Sequence, residues 1–219
     1  NGVDFTGSSI YRGGERNGKP ALSGLFEYNT DHPITMLELY QLCAHEVIGH
    51  YMNTAIRDLL WRGGRSGFIT TIGTMCTPEA VFQEGWAQNM FDIIYRSRDV
   101  AAEVYGNNLL VALAMDRLED FGKHNAPILY QREGKGLDRV RQHIADDCVQ
   151  PDSIVRKLSG AWTTHRILGP MNSPAYLTGG DIVNSAIRQH GNIPIAEIGY
   201  HLQGPMDIST FQKRIRGLF

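Results

Sequence analysis

One stretch of the chain, TPEAVFQEGWAQNMFDIIYRSR (residues 77–98), limits the possible fold more than any other. It begins with helix-start signals, because threonine is a good N-cap and proline is favoured at the first helical position, where Thr77 and Pro78 stand. Apolar residues then follow on nearly every side of the predicted helix. A helix that is apolar all round is buried, so we expect this one at the centre of the molecule.

A second helix is predicted before it. Thr35 and Glu38 form a T-x-x-E capping box, so a helix should begin near residue 35 and end at the stop signal Gly63-Gly64. Similar patterns predict further helical stretches at about 99–121 with Asp99 as cap, 137–149, 152–168, 174–190 with an interruption at Gly179-Gly180, and 208–217.

Strand signals are confined to the N-terminal part of the chain. Residues 1–34 are rich in glycine and other turn residues, and contain one strand-like run at 25–28. The sequence shows no internal repeat and no linker. We therefore predict a single, mainly α domain over residues 1–219, with an arm at 1–34 and a helical catalytic body at 35–219.

The composition excludes several classes of function. A chain of 219 residues with 42% apolar content is long enough for one domain with a substantial core. Its 21 basic and 23 acidic residues are spread along the chain, and this balance predicts no nucleic-acid partner. No apolar run approaches the ~20 residues that cross a bilayer, so no membrane span is expected. Cys43, Cys76 and Cys148 lack C-x-x-C spacing and are predicted to be free, mostly buried thiols, which leaves the compartment open.

The segment AHEVIGH carries two histidines five residues apart, His45 and His50, with Glu46 after the first. In the zinc-protease pattern H-E-x-x-H, a spacing of four puts both histidines on one helix face. A spacing of five turns the second imidazole about 140° round a regular helix, against about 40° for a spacing of four. A π-bulge absorbs the extra residue, and Gly49 permits a local distortion and leaves space beside the metal. We therefore predict an irregular helix between Glu46 and His50.

A catalytic zinc site typically has two histidines, one carboxylate and an open position for water. His45 and His50 are the candidate histidine ligands, and Glu84 is the candidate carboxylate, because a carboxylate in a buried helix needs a partner. Glu79 is an alternative third ligand, although an acid in the first turn of a helix needs no metal to explain it. Glu46 is then the general base. The other interpretation is two unrelated histidines and a solvated glutamate.

These residues resemble a known family. HEVIGHYMN, FQEGWAQ, SPAYLTGGDIVNSAIRQHG and DISTFQKRI are similar to segments of domain-of-unknown-function family 885, bacterial zinc peptidases related to Taq-type carboxypeptidases. The resemblance covers about residues 11–219, and the family's domain is longer. Where the family has Pro-Gly-His-His, this chain has Ile-Gly-His-Tyr, and its H-E-x-x-G-H spacing is that of dipeptidyl peptidase III.

The resemblance implies the same zinc ligands and the same base. It adds Tyr176 as a donor to the oxyanion, since a neutral phenol stabilises negative charge without titrating near neutral pH. It also adds Arg188 as a group that binds a substrate carboxylate, against the alternative of a surface arginine. Gln88, one helical turn after Glu84, and Glu79 are expected to support the ligands from outside.

Together these features predict a zinc hydrolase of the Glu-zincin type that acts on a peptide or a small molecule. Two alternatives stay open. A metal-dependent tailoring enzyme would use the same site on a modified peptide or metabolite, and a non-catalytic scaffold would keep the fold alone. The chain is short for a peptidase cleft, so an oligomer or a partner chain is a possible source of the missing wall.

Overall fold

The structure is a computed structural model that describes residues 7–31, 34–200 and 206–217. Over these residues the fold is mainly α-helical with a short N-terminal β arm, as predicted. The strands described are β1 (Gly7–Tyr11), β2 (Glu15–Arg16), β3 (Lys19–Pro20) and β4 (Gly24–Tyr28). β1 pairs antiparallel with β4, and β2 with β3. The sequence predicted only the strand that is β4.

The helical body follows the arm. Its α-helices are α1 (Met36–Cys43), α2 (Met52–Arg62), α3 (Pro78–Gln88), α4 (Met90–Tyr95), α5 (Arg98–Tyr105), α6 (Asn108–Pro127), α7 (Leu137–Gln142), α8 (Asp152–Leu158), α9 (Ala161–Thr164), α10 (Ser173–His190), α11 (Asn192–Tyr200) and α12 (Ile208–Arg216). Segments of π-helix occupy Ala44–Tyr51, Ile128–Arg132, His143–Asp147 and Leu168–Asn172, and a 3₁₀ turn occupies Phe68–Thr71.

The first long helix begins where the capping box predicts. The Thr35 amide donates to Glu38 (2.5 Å), and the Glu38 amide donates to the Thr35 hydroxyl (3.2 Å). The backbone stays right-handed helical at Cys43 and Met52, on either side of the first π segment. α1, this segment and α2 therefore form one continuous helix that ends at Gly63.

The predicted central helix, α3, crosses α10 at a pair of glycines. A Cβ atom at Gly85 would collide with the backbone of Gly179, and one at Gly179 would collide with the Val81 carbonyl oxygen. Gly85 thus allows the backbones of α3 and α10 to approach closely. The predicted interruption at Gly179-Gly180 is wrong: α10 is continuous, and Gly179 allows the two backbones to touch.

Two further helix predictions are corrected. Ser97, and not Asp99, caps α5, because its hydroxyl accepts a hydrogen bond from the first turn. The stretch predicted at 99–121 is broken at Gly106, whose φ of 86° is unfavourable for other residues, and a separate helix α6 follows. The stretch at 152–168 is likewise divided at Gly160 into α8 and α9. α11 was not predicted.

Two apolar clusters hold these helices together. The larger is built around α3 and α10 and includes Phe82, Trp86, Met90, Val183 and Phe211. The smaller consists of Ala126, Val140, Ile144, Val155 and Leu158. α6 contributes to both, so it joins them.

The three cysteines are free, as predicted, although only Cys148 is fully buried. The thiols of Cys43 and Cys76 are partly exposed. Among the residues described, no helix combines the length and apolar character that a membrane crossing requires.

Candidate metal centre

The two motif histidines lie on the π segment Ala44–Tyr51. A π turn is closed by a hydrogen bond over five residues, and here the Met52 amide donates to the Val47 carbonyl. Residues five apart therefore share a face, and the Nε2 atoms of His45 and His50 lie 3.1 Å from each other. The predicted irregularity between Glu46 and His50 is confirmed.

Gly49 brings this segment against α3. A Cβ atom at Gly49 would lie 2.6 Å from the Cβ of Ala87, which is too close for any other residue. Gly49 was predicted to permit a local distortion of the helix and to leave space beside the metal. The distortion is present without a positive φ at Gly49, and the predicted space beside the metal is wrong, because α3 fills it. The close packing places Glu84, one turn before Ala87, beside the histidines.

Three atoms that could bind a metal ion lie close together where the π segment contacts α3. The Oε2 atom of Glu84 lies 3.5 Å from the Nε2 atom of His45 and 3.5 Å from that of His50. Two ligands held 2.0–2.2 Å from a tetrahedral zinc ion are about 3.3–3.6 Å apart. Both distances from Glu84 to a histidine lie in this range, and the two histidine Nε2 atoms are slightly closer, at 3.1 Å. The same Oε2 atom is buried and accepts no hydrogen bond from the described residues. The donor set and its orphaned acceptor therefore fit a metal ion.

The charges within the cluster favour a protonated His50 and an ionised Glu84. Burial acts to lower the pKa of His50, but the negative charges of Glu84 and Glu46 outweigh burial and raise that pKa. Burial acts to raise the pKa of Glu84, yet the two histidines outweigh burial and hold it well below its usual range. A proton shared in this cluster therefore competes with a metal ion for the same three atoms.

Glu46 is held by the β arm. The backbone amide of Ser9 in β1 donates a hydrogen bond of 3.1 Å to the Oε2 atom of Glu46. The arm is fixed to the same helix at two further points, since Tyr51 donates to the Leu22 carbonyl (2.9 Å) and Tyr11 donates to Asp58 (2.6 Å). The contact engages one of the two carboxylate oxygens of Glu46.

Tyr176, the predicted oxyanion donor, lies beside the cluster of His45, His50 and Glu84. Its ring stacks parallel to the His45 imidazole, with 6.5 Å between the ring centres. Burial raises the pKa of Tyr176 well above its usual range, and the negative charges of Glu84 and Glu46 raise it further. The phenol therefore stays protonated, which is the form that donates a hydrogen bond.

The two supporting residues have other partners. Glu79 forms an ion pair with the buried Arg57 of α2, and it is Glu84 that joins the histidine cluster. Gln88 donates to both carboxylate oxygens of Asp120 at 2.9 Å, so its amide nitrogen orients a residue of α6. Glu79 thus fixes α2 against α3, and Gln88 fixes α6 against α3.

Arg188 lines a polar cavity of about 190 Å³ between α3, α5, α6 and α10, together with Gln88, Asp116 and Asp120. It follows Tyr176 by twelve residues on the continuous helix α10, which separates the two by about 18 Å along the helix axis. The arginine is exposed and forms no ion pair with the described residues. Its binding of a substrate carboxylate stays a prediction.

Two residues near the centre were not found by sequence reasoning. Ser9 acts through its backbone amide, which any residue except proline supplies, so no side-chain signal marks it. Lys123 is only 9% exposed and its Nζ atom lies 3.7 Å from the centre of the Tyr176 ring. A lysine in a helical stretch is normally a surface residue, and its spacing gave no reason to expect otherwise.

The chain was compared with protein-family models, with curated proteins and with solved structures, and no match was found in any of the three. The assignment of the metal centre therefore depends on the residues and distances of this chain itself.

Proposed function

We propose that the chain is a zinc-dependent hydrolase that cleaves peptide or peptide-like amide bonds, with Glu46 as general base. The observation that carries the proposal is the convergence of His45, His50 and Glu84 on one point, with Glu46 next to a ligand. Three protein ligands that leave one position open are typical of catalytic zinc, whereas structural zinc usually has four.

Each residue has a defined part in hydrolysis. When bound, zinc polarises the attacked carbonyl and lowers the pKa of its water. The Glu46 oxygen that Ser9 leaves unoccupied accepts a proton from the attacking water and delivers it to the leaving amine. The phenol of Tyr176 donates a hydrogen bond to the oxyanion that forms at the carbonyl.

The proposal is tested with a panel of free and blocked short peptides, incubated with the metal-loaded chain with and without a chelator. Wild-type protein should cleave at least one peptide and lose that activity with the chelator. Glu46→Gln should lower kcat by about 10²–10⁴-fold, which is the usual contribution of a general base, while the metal content stays unchanged. Glu103→Gln, at an exposed position of α5, is the matched control and should retain activity.

Other results favour the alternatives. If fully metallated protein cleaves no peptide of the panel, the result would favour a tailoring enzyme that acts on a modified peptide or metabolite. If Glu46→Gln changes neither turnover nor metal content for an active preparation, Glu46 is not the base. A stable chain that binds no metal and has no turnover would be a non-catalytic scaffold.

A further inference from the structure

A buried lysine with free hydrogen-bond donors lies next to the proposed catalytic centre. Lys123 of α6 is 9% exposed, and its Nζ atom lies 3.7 Å from the centre of the Tyr176 ring and 5.3 Å from that of Trp162. The cation–π contacts account for the position of the charge, but they use none of the three N–H donors as ordinary hydrogen bonds.

The nearby carboxylates do not use these donors either. Asp116 and Asp120 interact electrostatically with Lys123, yet neither is within 4.0 Å of its Nζ atom. Asp120 is instead bonded to Gln88. These carboxyl groups therefore leave the donors of the ammonium group unoccupied. Among the described residues, Lys123 has no hydrogen-bond acceptor.

The lysine is also close to the reacting groups. Tyr176 connects it to the metal ligands, because the phenol ring that Lys123 covers stacks on the His45 imidazole. Arg188, the cation expected from the sequence, is about 18 Å farther along α10. An extended peptide advances about 3.3–3.6 Å per residue, so about five residues would be needed to cover that distance.

We propose that Lys123 binds a carboxylate of the substrate in the residue next to the cleaved bond. This inference rests on the proposed hydrolase function and names the substrate feature that the site selects. The carboxylate has two possible sources in a peptide, the C-terminus and an acidic side chain. Both present two oxygens to the ammonium group, which binds such an anion as a compact point charge.

The test compares matched peptides on the metal-loaded full chain. One pair has a free or an amidated C-terminus, and the other has Glu or Gln beside the cleaved bond. Wild-type protein should prefer the carboxylate form of one pair by about tenfold or more in kcat/KM, since a hydrogen bond to a charged group has about that effect. The pair that shows the preference identifies the source.

Lys123→Met keeps an unbranched side chain and removes the charge, so it should abolish the preference. Lys135→Met, at an exposed position, removes the same net charge and should keep it. Arg188→Met should also keep the preference for the carboxylate peptide. If Arg188→Met lost this preference and Lys123→Met retained it, the carboxylate would bind Arg188 and the proposal would be overturned. Thermal unfolding checks that each variant is folded.

A binding experiment separates this inference from the proposed function. Succinate, a simple dicarboxylate, is titrated calorimetrically into metal-loaded protein, and Lys123→Met should weaken its binding by about tenfold. This result would support the carboxylate site even if no peptide were cleaved. Should Lys123→Met fail to fold, the wild-type chain decides alone: no succinate binding and no preference in either peptide pair would overturn the inference.

Discussion

A single hydrogen bond, from the Ser9 amide to Glu46, acts directly on the proposed general base. It holds one carboxylate oxygen, and in the proposed mechanism the other oxygen accepts the proton. Because the donor is a backbone group on the strand edge, the side chain of Ser9 is not needed for it. A substitution that removes only the N–H therefore isolates this contact.

We predict that Ser9→Pro lowers kcat by about tenfold or more, because a hydrogen bond to a charged group stabilises by about 1.5–3 kcal/mol. The pairing of β1 with β4 should survive, since this N–H points to Glu46 and proline is tolerated on an edge strand. Steady-state kinetics with measured metal content check the prediction. Ser9→Ala keeps the amide and should behave as wild type; equal losses in both variants would show that the amide has no special role.

The metal affinity of the proposed site should depend on pH, because the pKa of His50 is raised. A zinc-bound histidine must be deprotonated, so protons compete with the metal for His50. Because the pKa lies above the ordinary 6.5, this competition begins at a higher pH than for a solvent-exposed histidine. Metal affinity should therefore decline steadily as the pH falls from 8 to 6. Competition titrations with a chromophoric chelator measure it, and an affinity that is constant over this range would contradict the arrangement.

At the scale of elements, the site depends on close contacts between helices. Gly49 allows the π segment to touch α3, and Gly85 and Gly179 allow α3 to touch α10. The first contact places Glu84 against the histidines, and the second places Tyr176 on the other side of the cluster. The glycines thus set the positions of side chains that belong to three separate segments.

We predict that Gly179→Ala destabilises the fold by about 1–3 kcal/mol, the usual cost of overpacking, because the new Cβ meets the backbone of Val81. It should also weaken metal binding, since α3 carries Glu84. Gly180→Ala is the matched control in the same helix: its Cβ would meet only side-chain atoms, at 3.4 Å and beyond. Denaturant unfolding and chelator competition measure both effects, and similar results for the two variants would refute the assigned role of Gly179.

Sequence patterns predicted these elements unequally well. The caps at Thr35 and Thr77 are local interactions within four residues, and both were predicted correctly. The breaks at Gly106 and Gly160 were missed because a glycine inside an apolar helical pattern is compatible with either continuation or termination. Gly179 shows the opposite case, in which tertiary packing keeps a glycine pair inside a helix.

At the scale of the whole molecule, the arm, the π helix, α3, α6 and α10 meet at one centre. The convergence of His45, His50 and Glu84 was predictable, because a metal site needs particular residue types at particular spacings and a carboxylate in a largely apolar helix stood out on that basis. The contacts of Glu79 with Arg57 and of Gln88 with Asp120 were not predictable, since they join segments whose relative placement no local pattern encodes. The same holds for Ser9 and Lys123.

The most direct test of the central claim is the metal content of the purified chain, measured by elemental analysis after loading with zinc and removal of excess metal. We predict one zinc ion per wild-type chain and in Glu46→Gln, and a stoichiometry close to zero in His50→Ala and Glu84→Ala. Glu103→Ala, at an exposed position of α5, is the control for loss of a carboxylate and should retain the metal. An unchanged zinc content in both His50→Ala and Glu84→Ala would contradict the site.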